Sequence, residues 1–80
     1  MSERDAWRGQ LATAEAELDR YQTLWDGKVK SLRNELDPLT PVEEIDTKLI
    51  GLYANDLALL QKNFEATRKL IDKLNKQLNG

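Results

Sequence analysis

The chain has 80 residues, with 12 Lys and Arg against 14 Asp and Glu, a net charge of −2, and neither Cys nor His. One small domain is the most that this length builds, and the missing residue types exclude disulfide scaffolds, thiol nucleophiles, cysteine or histidine zinc sites and the usual general base. An enzyme is therefore not expected, and no cofactor is implied. So small a charge gives no field to attract nucleic acid or acidic lipid, and no apolar run approaches the ~18 residues of a membrane span. The opening Met1-Ser2-Glu3-Arg4-Asp5 is polar and acidic, unlike a signal peptide. A cytoplasmic location is expected, with leaderless secretion left open.

In chain order, apolar or small residues first recur at Trp7, Leu11, Ala14, Leu18, Tyr21, Trp25, Val29, Leu32 and Leu36, always three or four apart. That spacing puts them on one side of a helix and rules out strand alternation. Ser2 with Asp5 reads as the capping pair of this first arm, which spans about 2–37. Both prolines then fall in Asp37-Pro38-Leu39-Thr40-Pro41, which predicts a turn over 37–41. Thr40-Pro41-Val42-Glu43 offers a capping hydroxyl, a proline at the first helical position and a carboxylate two residues later, so the second helix is expected to start at Thr40 or Pro41. Its stripe runs through Val42, Ile45, Leu49, Tyr53, Leu57, Leu60, Phe64, Thr67, Ile71, Leu74 and Leu78, and Asn79-Gly80 reads as its stop. At ~1.5 Å per residue each arm is roughly 50–60 Å long. The fold class is all-α: a two-helix antiparallel coiled-coil hairpin, expected to assemble into a four-helix bundle.

Folding near Leu39 pairs residues whose numbers sum to about 78, so Trp25 is expected opposite Tyr53 and Ala14 opposite Phe64. Consecutive four-residue steps, Tyr21-Trp25-Val29 and Ile45-Leu49-Tyr53-Leu57, fall at matching heights in this register. Charge agrees in sense: residues 1–20 carry five acids and three bases, while 61–80 carry two acids and five bases. Glu44 with Lys48, Glu65 with Lys69, Asp72 with Lys76 and Asp26 with Lys30 are spaced to support their own helix.

A hairpin of this size encloses little core, and ~70–80 residues seldom supply more than ~3–5 kcal/mol without a staple. Association is the remaining route. On a helical wheel Leu52, Leu59, Ala66 and Leu70 project to one side of the second stripe, and Leu24 lies off the first. These five residues form the expected surface for self-association, as a homodimer, or for a partner protein that the sequence does not identify. Trp7, Trp25 and Tyr53 are candidate aromatic anchors, although their place on the inner stripes also suits core packing. Asp56 lies near the core edge, where it either pins register or reaches solvent, and Gly27 suggests close packing or a bend. Lys62, Arg68, Lys69, Lys73 and Lys76 are the only basic group suited to phosphates. Facing an acidic first arm, they make nucleic acid an unexpected partner and a weak nucleic-acid-binding hairpin a minor alternative.

Two resemblances rest on short motifs. Trp25-Asp26-Gly27 is similar to the Trp-x-Gly turn of helical-hairpin substrates of type VII secretion, but there the motif lies between the helices, and here it lies inside the first arm. Pro38-Leu39-Thr40-Pro41 resembles the Pro-x-x-P turn of type III secretion needle subunits, which are similar in length and in having two helical arms. This second resemblance implies a structural subunit of a secretion apparatus. The heavy charge and the ending Lys76-Gln77-Leu78-Asn79-Gly80 depart from the needle pattern. The reading preferred on the residues is a non-enzymatic interaction module acting as adaptor, assembly factor or inhibitor.

Overall fold

A computed structural model describes residues 3–79. The first helix, α1, is Glu3–Glu35, and the second, α2, is Thr47–Asn79. They pack side by side and antiparallel as a rod of 61 × 17 × 15 Å. No residue between 3 and 35 is a proline, and none between 47 and 79. Both helices therefore run without a break.

The connection is longer than the prolines suggest, because α2 starts at Thr47 and not at Thr40 or Pro41. The Asp37 carboxylate accepts the Leu39 N–H at 2.9 Å and its carbonyl accepts the Thr40 N–H at 3.0 Å, which closes a turn with Pro38 at its first corner. Pro41 then sits at φ −58°, ψ 145°, in the extended conformation of polyproline, and caps nothing with a side chain. A single 3-10 turn over Val42–Glu44 follows, and Ile45 returns to extended backbone. The helix is opened by Asp46: its carboxylate accepts the Leu49 N–H at 3.0 Å, and its carbonyl takes the Ile50 N–H at 3.1 Å. Glu43 and Glu44 consequently lie before the helix, outside its first turn. The expected caps at Ser2 and Gly80 lie outside the described residues.

This longer connection moves the register. The Arg4 guanidinium donates to the Leu78 carbonyl, and Lys28 Nζ meets Asp56 at 3.0 Å, pairs whose numbers sum to 82 and 84 rather than 78. The arms are thus slipped by four to six residues, one turn or somewhat more, from the expected pairing of Trp25 with Tyr53 and of Ala14 with Phe64. A slip of four residues rotates each partner by only about 40° on a helix, so the same stripes face inward while every residue meets a neighbour one turn along.

The seam is thin. Among the described residues Ala14, Thr67 and Leu74 are buried, with Ala14 and Leu74 each 2% exposed. Trp7, Leu11, Leu18, Tyr21, Trp25, Tyr53, Leu57, Leu60, Phe64 and Ile71 are half-buried, because two helices cover one side of each other and leave both flanks open. Among the described residues no large side chain is fully enclosed.

Candidate interaction face

The register places two open flanks on the rod, and they differ in chemistry. On one flank α1 contributes Leu24 and Lys28, and α2 contributes Asp56, Leu59 and Asn63, around a shallow groove of about 250 Å³. Farther toward the open end, Leu70 borders a second groove of about 630 Å³ with Ala6, Gly9, Thr13, Ala14 and Glu17. The helical repeat carries Leu52, Leu59, Ala66 and Leu70 along this same side of α2. The structure leaves all of the expected surface residues exposed: Leu24, Leu52, Leu59 and Leu70 at 46, 60, 62 and 44%, together with Ala66. On the opposite flank Tyr21, Trp25, Leu60 and Phe64 line a groove of about 260 Å³, but Gln22, Gln61 and Glu65 rim it.

Of the proposed aromatic anchors, Trp7, Trp25 and Tyr53 are all half-buried. Trp25 opens to the glutamine-rimmed flank, and Tyr53 lies 5.2 Å beneath the Lys28 ammonium. Lys28 is therefore held twice, over the Tyr53 ring and against Asp56 one turn farther along α2. The two charged side chains are 37 and 47% exposed, which places Asp56 at the edge of the seam. Among the described residues this is the ion pair that joins the arms. Among the described residues none of the four pairs spaced within one arm comes within ion-pair distance. Asp26 takes a hydrogen bond from Gln22 at 3.0 Å, and Glu44 is outside the helix that carries Lys48.

Gly9, Gly27 and Gly51 do not serve close packing within the hairpin, since a methyl group built at any of them would meet nothing within 4 Å. Thr13, Thr23 and Ser31 turn their hydroxyls back onto the carbonyls of Gly9, Asp19 and Gly27 at 3.0–3.1 Å. That leaves methyl and methylene groups on the outer surface of α1.

A second apolar group lies at the tip, where Leu36, Leu39 and Val42 are exposed at 52, 89 and 81%. Sequence reasoning missed it by assigning Leu36 and Val42 to the inner stripes. The signal was Leu39, an apolar residue between two prolines and on neither helix. The basic residues of α2 offer less: Lys69, Lys73 and Lys76 border an open depression of about 400 Å³ that Asp72 shares. Among the described residues no group of three or more Asp or Glu gathers to hold a metal ion, and no helix is long and apolar enough to cross a membrane.

Comparison with family models, with characterised proteins and with solved structures finds no match for this chain.

Proposed function

We propose that the chain is a non-enzymatic protein–protein interaction module whose working surface is the flank formed by Leu24, Leu52, Leu59, Ala66 and Leu70. One observation carries this reading: four leucines that a longer or thicker bundle would bury stand 44–62% exposed along a single side of a rod. Scattered exposed leucines are ordinary on protein surfaces, but Leu52, Leu59 and Leu70 line one side of a 33-residue helix, with Asp56 and Asn63 set between them. Such a stripe suits a helix-packing partner, whether the task is adaptor, assembly factor or inhibitor.

The test compares the chain with a Leu52→Asp/Leu59→Asp/Leu70→Asp variant. All three sites are exposed, so the variant is expected to keep its helix content by circular dichroism. Wild type is expected to form complexes, with itself or with proteins of its native source, that the variant loses. Identical behaviour of the two chains overturns the reading.

A further inference from the structure

We infer that the occupant of the leucine flank is a second copy of this chain, docked head to tail so that the two α2 helices lie antiparallel. This rests on the interaction-module reading above and names the partner of the same surface.

The surface area supplies the first argument. A folded chain of 9.2 kDa exposes about 4,900 Å² by the size scaling of compact monomers, whereas this rod exposes 6336 Å², an excess of about 1,400 Å². A standard protein interface covers about 800 Å² on each partner. Covering one flank of the hairpin with a like-sized rod therefore removes an excess that suits a stable dimer. The resulting four-helix arrangement gives the thin seam at Ala14, Thr67 and Leu74 a second layer.

Residue chemistry supplies the second argument and sets the direction. The stripe on α2 reads Leu52, Asp56, Leu59, Asn63, Ala66 and Leu70, alternating steps of four and three. Reversed about a two-fold axis near residue 61, it matches itself: Leu52 lies over Leu70 of the second copy, Leu59 over Asn63, and Asp56 over Ala66. If the turns instead shared one end, α2 would lie over α1 of the second copy, and only Leu59 with Leu24 would match leucine to leucine. Charge favours the same direction. Residues 41–60 carry four acids and one base, while 61–80 carry five bases and two acids. Head-to-tail docking lays each block against the opposite block of the other chain. Like charges do meet locally, since Lys62 of the two copies approach at the axis. The net charge of −2 opposes pairing only weakly.

The other flank holds Tyr21, Trp25, Leu60 and Phe64 half-buried in its groove, whereas the leucine flank carries four leucines that stand exposed. On the leucine flank the Thr13 hydroxyl is already bonded to the Gly9 carbonyl, and Lys28 is already paired with Asp56. Docking there leaves Asn63, which faces Leu59 of the second copy, and Glu17 at the groove edge as the polar groups to be accommodated.

The experiment uses the whole chain, which has no cysteine of its own. A spin label on Glu43→Cys, in the exposed connection, is measured by pulsed electron resonance, and the mass by sedimentation equilibrium. A dimer with a label separation of about 50–60 Å is expected, from ~1.5 Å per helical residue on either side of the axis. Leu59→Glu is expected to weaken association at least about hundredfold, and Gln61→Ala on the other flank to leave it unchanged. A separation under about 25 Å, or a dimer indifferent to Leu59→Glu, overturns the inference. So does a monomer at every concentration. If that monomer still binds another protein through Leu52, Leu59 and Leu70, only the second-copy inference fails. If it binds nothing through them, the interaction-module reading fails as well.

Discussion

Leu74→Ala tests whether the thin seam holds the hairpin together. Leu74 is 2% exposed, and the register sets it at the height of Trp7 and Leu11, near the open end. Truncation to alanine removes three carbons, worth about 2.4 kcal/mol at ~0.8 kcal/mol per buried carbon, and adds a cavity term. Open flanks let neighbouring side chains settle into the space, so the cost should stay near the low end of the usual range, at about 2.5–3 kcal/mol. For a chain of this size that lowers the melting temperature by roughly 10–20 °C. Urea unfolding followed by circular dichroism at 222 nm is the assay, with an unchanged urea dependence showing that the unfolding transition keeps its character. Leu59→Ala is the companion: Leu59 is 62% exposed in the hairpin, so its truncation should cost less than about 1 kcal/mol at high dilution. A loss at Leu74 below about 1 kcal/mol, or equal losses at the two sites in dilute solution, would refute the description of the seam.

Asp46→Ala should destabilise the chain by about 1 kcal/mol, because it removes the acceptor of the Leu49 N–H, whereas Thr40→Ala should be near neutral; chemical unfolding of both variants locates the true start of α2. Gly51→Ala should raise stability by about 0.5–1 kcal/mol, since the added methyl meets nothing and the helix interior gains propensity; a fall in melting temperature would mean that the position is covered. Asp56→Asn should cost no more than about 1 kcal/mol in dilute solution, where the pair with Lys28 is partly exposed, and more at concentrations where a second chain dries it; a cost independent of concentration would place the pair outside any interface.

Much of the rod was legible because a helix stripe is a local, repeated signal. The steps of three and four through Trp7 to Leu32 and through Leu49 to Leu78 specify two helices and their inner sides. The connection was less legible. Thr40-Pro41-Val42-Glu43 carries the residues of a helix start, yet Asp37 closes its own turn and Asp46 supplies the working cap. Register depends on that connection, and a one-turn slip leaves both stripes facing inward, so periodicity alone does not distinguish the two pairings. The leucine flank was visible on the wheel because Leu52, Leu59, Ala66 and Leu70 depart from the stripe in the same sense. The tip at Leu36, Leu39 and Val42 was not, since the expected end of the first arm took in Leu36 and the expected start of the second took in Val42.

The proposed working surface is read most directly by dilution of isotopically labelled protein in the NMR magnet, from about a millimolar to a few micromolar, with the leucine methyl and aromatic signals assigned. Exchange between free and associated chains reports which side chains lose water. The account predicts that concentration-dependent shifts cluster on Leu24, Leu52, Leu59 and Leu70, with Tyr21, Trp25 and Phe64 on the other flank little changed. Shifts centred on the Tyr21–Phe64 groove or confined to Leu39 and Val42 at the tip, or spectra constant over the whole range with no partner protein that restores shifts at the leucines, would contradict it.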